Sequence, residues 1–404
     1  MQGNTTTEPL IVEAQKRAWQ VLEGCITSEG ILASPANHDN YRRVWARDSM
    51  IAGIAGLLGN HSSVIEAMVQ SVITLQKHQA ANGQIPSNVG IDAPQTVSFG
   101  SLAGRVDATT WWVIGACLLI SNQKESALKQ ALAQPIAKAF QVLKDWEMNG
   151  RGFIYTPLGG NWADEYISEG YNLYDQCLRL WALRIAGKVY ENEQYIADAA
   201  ALTTLIVNNY YYQEGSSNHY HAVAYQKAEP KPYFWFQFGP QGYDTRFDMA
   251  ANALVLMLNL HPEPTRLEEY LKELALTQGR WMLPVFYPVI QETDPEWFLL
   301  ERNYSYSFKN KPHHFHNGGC WPVFMGWLGL GLAKHGLLGA TQNMQEAITN
   351  SLAAEEPPFS FHEYWAGDTN VPGGVKPLAY TATGVVLLQI ATQLNCNEVI
   401  KKLF

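Results

Sequence analysis

Apolar residues recur at helical spacing from one end of the chain to the other. The pattern predicts twelve helices, at 9–24, 48–58, 62–79, 107–121, 125–146, 171–188, 194–209, 246–259, 266–275, 319–335, 341–352 and 378–393. Extended patterns are weak: Tyr233–Phe238 and Trp281–Tyr287 read as strands, and both lie inside connections. The connections alternate in length. After the second, fourth, sixth, eighth and tenth helices they are short, at Gly59–His61, Asn122–Lys124, Val189–Glu193, Leu260–Thr265 and Gly336–Ala340. After the odd-numbered helices they run from about 23 to about 43 residues, far beyond the 2–8 usual between helices. Strict alternation predicts six long loops at one end of a double ring of helices. The fold class expected is therefore all-α, a single (α/α)6 barrel spanning residues 1–404. The even-numbered helices are the more apolar, Trp111–Ile120 and Trp321–Leu332 most clearly, as an inner ring packed on both sides requires. No sequence repeat of 20–50 residues is visible, which argues against a regular solenoid.

Composition agrees with a large buried core. Only 16% of residues are charged while 12% are aromatic, with 13 Trp and 20 Tyr, the reverse of a disordered chain. The formal charge is 28 − 37 = −9 without a basic run of five, so no nucleic-acid partner is expected. Cys25, Cys117, Cys177, Cys320 and Cys396 are dispersed and form no CxxC pair, which reads as free thiols in a reducing compartment. The opening MQGNTTTEPL has neither a basic region nor an apolar core of a secretory signal. The longest apolar run, Cys320–Ala333, contains Pro322 and three Gly and falls short of the roughly 20 residues needed to span a bilayer. A cytoplasmic globular protein with no membrane association is expected.

If the long loops carry the chemistry, polar and aromatic clusters should precede the even-numbered helices, and they do. The first is Tyr41-Arg-Arg-Val-Trp-Ala-Arg-Asp48, where Trp45, Arg47 and Asp48 combine an aromatic face with a fork of donors and an acceptor. Asp48 reads equally well as a helix cap, and capping is the leading reading for Asp107. The second loop holds Gly83-Gln84-Ile-Pro-Ser-Asn-Val89 and Gly104-Arg-Val-Asp107, running into Trp111-Trp112. In the third, Asp164, Glu165 and Glu169 fall within six residues beside Trp162 and Tyr166, an interleaving that a merely solvated acidic loop does not need. The aromatics of Lys231–Gly239 read as cover for the barrel end. In the fifth loop His313, His314 and His316 precede Asn317, Gly318, Gly319 and Trp321. They lack the usual zinc spacings and read as a hydrogen-bonding loop with glycine hinges, with no metal or other cofactor required. The sixth loop pairs Glu363 with Tyr364 and Trp365.

Two carboxylates on separate loops, flanked by indole and phenol rings, suit glycoside hydrolysis: one protonates the leaving oxygen and the other activates water or attacks the anomeric carbon. There is no GxSxG elbow, phosphate-binding Walker loop, HExxH, dinucleotide fingerprint or DDxxD-type magnesium cluster.

These loops resemble, in order and over most of the chain, the six-hairpin glycosidases, and most closely the alkaline/neutral invertases. Phe315-His-Asn-Gly-Gly-Cys-Trp-Pro-Val323, after Lys309-Asn-Lys-Pro312, is similar to their YHNGGSWPV segment. Val44-Trp-Ala-Arg-Asp48 resembles their V-x-V-R-D, and Gly104–Asp107 with Trp111 and Trp112 their D-S-G-x-W-W region. His362-Glu363-Tyr364 is similar to their P-E-Y, and Lys376–Gly384 to their closing K-x-Q-x-W-S-x-A-G stretch. Where invertases carry I-D-R-R-M-G, this chain has Ala163-Asp164-Glu165-Tyr166. That form resembles α-glucosidases, amylo-α-1,6-glucosidases and glycosyl-glycerate hydrolases, and weakens sucrose as the substrate.

The resemblance implies an exo-acting, inverting glycoside hydrolase that releases a terminal sugar from a small α-glucoside. Asp164 would be the general acid, with Glu165 its rival, and Glu363 the general base. Sugar-binding positions would be Trp45, Arg47, Asp48, Gln84, Asp107, Trp111, Trp162, Glu165, Tyr171, Asn317, Trp321 and Trp365. Three alternatives stay open at this point: a sucrose-specific invertase, a sugar epimerase or isomerase using the His cluster as acid and base, and a catalytically silent glycan-binding barrel.

Overall fold

A computed structural model describes residues 7–123 and 126–404. The opening six residues, and parts of the predicted Asn122–Lys124 turn and of the start of the helix at 125, lie outside the described residues. In chain order the helices are α1 (Thr7–Gly24), α2 (Ala46–Gly59), α3 (Ser62–Lys77), α4 (Val106–Gln123), α5 (Ser126–Asp145), α6 (Leu173–Tyr190), α7 (Glu193–Tyr210), α8 (Ala222–Lys227), α9 (Met249–Met257), α10 (Pro264–Gln278), α11 (Trp297–Leu300), α12 (Pro322–Lys334), α13 (Leu338–Ala353), α14 (Ala379–Ala391) and α15 (Cys396–Ile400). Each predicted helix falls on one of the longer ones, and α8, α11 and α15 are short additions.

The contacts sort these helices into two layers. α2, α4, α6, α9, α12 and α14 touch in sequence, and α14 returns to α2, which closes a ring. Around it, α1 lies on α14, α3 on α2, α5 on α4, α7 on α6 and α13 on α12. The sequence dictates which layer a helix joins. α2, α4, α12 and α14 are apolar all round and buried along nearly their whole length, as a helix packed on two sides must be. α3 instead buries one stripe, Val64, Met68, Val72 and Leu75 among others, at spacings of three and four. The ring has a solid centre. Trp111 of α4, Trp181 of α6 and Trp327 of α12 meet there with ring centroids 5.8–6.0 Å apart, and Trp111 Nε1 donates to Tyr174 Oη at 2.8 Å.

The chain is mostly helical, but its long connections hold small antiparallel sheets that the apolar pattern does not reveal. β1 (Ile26–Thr27) pairs with β2 (Gly30–Ile31). β3 (Arg43–Trp45), β4 (Asn88–Gly90) and β5 (Val97–Ser98) form one sheet, and β6 (Tyr171–Asn172), β7 (Trp235–Gly239), β8 (Gly242–Asp248) and β9 (Phe286–Tyr287) another. β10 (Tyr364–Trp365) pairs with β11 (Pro372–Gly373). The expected strand at Tyr233–Phe238 is shifted to β7, and that at Trp281–Tyr287 shrinks to β9. The sheets also trim helices. Tyr171–Asn172 and the end of β8 occupy the predicted starts of α6 and α9, because a short paired strand here leads directly into the helix cap. Asn172 accepts from the Tyr174 N–H and Asp248 from the Ala251 N–H. Several long connections thus enter the inner ring through strands, which fixes the side chains at the mouth.

Candidate functional site

The long connections lead into the N-terminal ends of the inner helices, and there a cavity of about 360 Å3 opens. β3 and the first turn of α2 contribute Trp45, Arg47 and Asp48, with Tyr41 just before them. Arg105 comes from the second long connection, Trp162, Asp164 and Glu165 from the third, Lys309, His316 and Trp321 from the fifth, Glu363 from the sixth, and Tyr380 from the first turn of α14.

The floor is charged and buried. The Arg47 guanidinium lies 3.3 Å from Asp48 Oδ2 and 3.3 Å from Asp107 Oδ2 and near the faces of Trp45 and Tyr380. Burial raises the Asp48 carboxyl above its ordinary range, and Arg47 offsets only part of this. Asp107 is raised in the same way. Neither caps its helix: α2 has no side-chain cap bond, and Asp107 spends Oδ2 on Arg47 while its Oδ1 has no partner. The capping reading of Asp107 is therefore corrected: it supports the cavity floor from behind, through Arg47.

Asp164 accepts from Arg105 Nη2 at 2.8 Å, and its side chain is 31% exposed. Burial pushes its carboxyl up, but the cations, Arg105 foremost, outweigh this and hold it below the ordinary range. Glu165 is turned aside, with Oε2 3.6 Å from Lys309 Nζ and Oε1 accepting from the Ser305 N–H at 3.4 Å. Burial raises its pKa, against Lys309. Glu363 is 6% exposed. It accepts from Tyr41 Oη at 2.8 Å and from the Val375 N–H at 3.3 Å. Burial raises it, and these donors offset part of the rise. The connection before it is tied down on both sides. Glu355 accepts from the Phe361 and His362 N–H groups and from His362 Nδ1 at 2.7 Å, while the Thr381 hydroxyl donates to the His362 carbonyl at 2.6 Å. Gly374, at φ +78°, passes so close that a Cβ there would strike the Glu363 carboxylate.

Aromatic rings make the wall. Trp162 stacks on Phe286 and meets Trp321 edge to face, and His316 lies between Phe315 and Trp321. Burial pushes His316 down to about 3, so its imidazole is neutral. Among the described residues no group of three or more His, Cys, Asp or Glu is placed to hold a metal ion. Buried polar atoms of the lining residues with neither a hydrogen-bond partner nor an ion-pair partner in the protein include His316 Nδ1 and Tyr380 Oη. An unpaired buried polar atom costs free energy unless a ligand satisfies it.

The cavity thus gathers Trp45, Arg47, Asp48, Trp162, Asp164, Glu165, Trp321 and Glu363. Six expected sugar contacts lie outside the lining, Asp107 behind the floor and five elsewhere. Trp111 belongs to the tryptophan cluster at the ring's centre. Asn317 is fully buried and spends its amide on Ile290 N–H and carbonyl and on the Asn310 carbonyl, so it shapes the loop. Trp365 is 1% exposed and its main chain bridges to Cys320. Tyr171 packs among Phe153, Tyr155 and Tyr220 behind the wall. Gln84 is outside the lining, its amide beside Gly104. Conversely Tyr41, Arg105, Lys309 and Tyr380 line the cavity although residue-type reasoning passed over them, and His316, singled out only for the isomerase alternative, lines it too. Tyr41, Arg105 and Tyr380 lie inside motifs already conspicuous in the sequence, and Lys309 begins the Lys-Asn-Lys-Pro run.

No family model matches the chain, and no curated protein matches it. Solved structures do. A GH63 mannosylglycerate hydrolase from Thermus thermophilus in complex with glucose is 12% identical, with a TM-score of 0.62 over 93% of this chain and 99% of that one. A glycosidase solved as a glutamate-to-alanine variant is 14% identical, with a TM-score of 0.63 over 97% and 99%. A rhamnosidase from Klebsiella oxytoca with rhamnose bound is 13% identical, with a TM-score of 0.59 over 95% of this chain and 64% of that one. The chain therefore has a fold used by glycoside hydrolases, helical and without a helix long and apolar enough to cross a membrane among the described residues.

Proposed function

We propose that residues 1–404 form one (α/α)6-barrel domain that hydrolyses a terminal α-glucosidic bond of a small glucoside with inversion. The observation that carries this is the joint presence of Asp164 and Glu363 in one aromatic-walled cavity whose lining holds buried polar atoms without a partner, His316 Nδ1 and Tyr380 Oη among them. Its volume, near the lower end for ligand pockets, favours one sugar ring and a small aglycone over a polymer. Trp45, Trp162 and Trp321 offer faces to the apolar side of a sugar ring, and Asp48 and Arg47 can read its hydroxyls.

Glu363 sits deeper than Asp164, as expected of a base holding water beneath the anomeric carbon. Asp164, exposed toward the mouth, is placed to protonate a departing aglycone. Glu165 is the second reading for the acid, favoured by its raised pKa. Its orientation toward Lys309 and the Ser305 N–H counts against it. The neutrality of His316 disfavours an epimerase that must donate a proton from imidazole. The similarity to a mannosylglycerate hydrolase makes glycerate one candidate aglycone. Five buried, unpaired cysteines support a reducing, cytoplasmic location.

The test is glucose release from sucrose, maltose, isomaltose, trehalose and glucosyl-glycerate, with the anomeric form of fresh product read by NMR. Asp164→Asn and Glu363→Gln should each lose at least about 100-fold in kcat, the lower range for positioned acid–base groups. Asp164→Asn should recover with an activated aryl leaving group. Wild-type turnover in Asp164→Asn, with loss in Glu165→Gln, would transfer the acid role to Glu165. A first-formed α-anomer would overturn inversion.

A further inference from the structure

The connection that delivers Glu363 begins at an acid placed against the electrostatics of its setting. Glu355 lies two residues beyond α13, at the negative end of a 16-residue helix, and its side chain is fully buried. Among the described residues no Lys or Arg lies within ion-pair distance of it. Burying an acid there costs stability unless donors supply its oxygens. They do: Oε2 accepts from the Phe361 N–H at 3.0 Å, and Oε1 from the His362 N–H at 3.1 Å and from His362 Nδ1 at 2.7 Å.

Those amides belong to a strained stretch. Phe359, at φ +59°, and Phe361, at φ +56°, both sit in the left-handed region, which bulky side chains adopt only where the surroundings enforce it. The Phe359 N–H donates to the Leu352 carbonyl at 2.8 Å, and the Leu378 N–H to the Phe361 carbonyl at 3.0 Å. Thr381 holds the His362 carbonyl from the other side. Pro357 and Pro358, by contrast, are exposed. A simple account is that Glu355 only anchors a loop. The bonds and the strain are not spread over that loop, however. They converge on the peptide units immediately before Glu363.

We infer that Glu355 is a positioning residue for the hydrolysis. By gripping the Phe361 and His362 amides and the His362 ring, it sets the direction from which the Glu363 carboxylate enters the cavity, where Tyr41 and the Val375 N–H meet it. The inference rests on Glu363 being the general base.

Glu355→Gln tests it, because the amide keeps the size of the side chain but turns a donor toward one of the N–H groups. The assay is glucose release by the full chain from the best substrate among sucrose, maltose, isomaltose, trehalose and glucosyl-glycerate. With the folded fraction measured by circular dichroism, kcat should fall about 10- to 100-fold, the scale of a misplacement near 1 Å. KM should stay within about twofold, since Trp45, Arg47 and Trp162 are carried by other connections. Combined with Tyr41→Phe, the two losses should fall short of multiplying, because both act on one carboxylate. His362→Leu removes one of the three donors at a half-buried position. It should lose kcat several-fold in the same sense, and it carries the test if Glu355→Gln does not fold. Undiminished kcat in whichever of the two folds, or a loss that multiplies fully with that of Tyr41→Phe, would overturn the positioning role and leave Glu355 a loop anchor, provided Glu363→Gln is inactive. Glucose release from none of the five substrates, or wild-type turnover in Glu363→Gln, would instead remove the base on which the inference rests.

Discussion

Replacing Tyr41 by Phe removes one oxygen and tests whether Glu363 works as a base. The Tyr41 hydroxyl donates to Glu363 Oε1 at 2.8 Å, and the remaining protein donor to that carboxylate is the Val375 N–H at 3.3 Å. Glu363 is only 6% exposed, so water replaces the lost donor poorly. A hydrogen bond to a charged group contributes about 1.5–3 kcal/mol. If all of it favours the ionised over the protonated carboxyl, its loss makes protonation about 10- to 150-fold more favourable. The sign follows from the bond itself, which lowers the Glu363 pKa against the rise caused by burial. Without it the pKa climbs further, and the base is protonated over a wider acidic range. In the free enzyme, which kcat/KM for glucose release reports, Asp164 is lowered and Glu363 raised, so Glu363 sets the alkaline limb, and that limb should move to higher pH in Tyr41→Phe. The deficit should be full on the plateau and the acidic side and fade on the alkaline limb. A loss of equal size at every pH, the alkaline limb included, would mean that Tyr41 acts on the substrate or the fold, and an unmoved alkaline limb would refute its coupling to Glu363.

Two further outcomes follow from other charged contacts. Arg105→Gln removes the main cation holding Asp164 down, so the acidic limb of kcat/KM, which the lower of the two pKa values sets in the free enzyme, should move to higher pH. An acidic limb that stays in place would refute the hold of Arg105 on Asp164. Asp248 caps α9 from a fully buried position, and burial pushes it up to about 7 although the helix N–H groups oppose the rise. An acid raised in the folded state loses stability as pH climbs from its unfolded value toward 7. Asp248→Asn keeps the accepting oxygen and should gain stability relative to wild type between pH 5 and pH 8. The gain is capped at about 4 kcal/mol by the distance from the ordinary 3.8 to about 7, and urea denaturation showing the same difference at both pH values would contradict it.

The helices were legible because each inner helix is a long apolar run and each outer helix a stripe, two patterns that burial on two sides or one side imposes directly. The sheets were not, since segments of two or three residues such as Tyr364–Trp365 carry no period. Within the site, legibility followed the sequence distance of the partner. Trp45, Arg47 and Asp48 act together within four positions and could be read from one segment. The Arg105–Asp164 bond joins residues 59 positions apart and Tyr41–Glu363 joins residues 322 apart, so residue type alone could not tell Arg105 and Tyr41 from surface residues. Asn317 misled for the opposite reason. Its setting among His and Gly looks like a binding loop, but the amide is consumed by Ile290 and Asn310, and only the fold shows that no donor is left for a sugar.

The site's charges are divided in a way that sharpens the proposed roles. Asp48 and Asp107 share Arg47, Glu165 faces Lys309, and Asp164 is bonded to Arg105. Of Asp48, Asp164, Glu165 and Glu363, Glu363 is the one whose hydrogen bonds come from neutral donors with no cation in ion-pair contact. A carboxylate with a raised pKa is the stronger base, and a carboxylic acid with a lowered pKa is the stronger acid, so on the proposed assignment each group is shifted toward greater intrinsic reactivity. The same shifts make the productive pairing, Asp164 protonated and Glu363 ionised, a minority form in the free enzyme. A sugar entering the cavity covers the exposed third of Asp164 and removes its water, which favours the neutral acid. Beneath it Glu363 keeps the hydroxyl of Tyr41 and the N–H of Val375, neither of which needs to move. Substrate binding would therefore shift protonation toward the working pair mainly at the mouth, where Asp164 meets the aglycone, and least at the buried base.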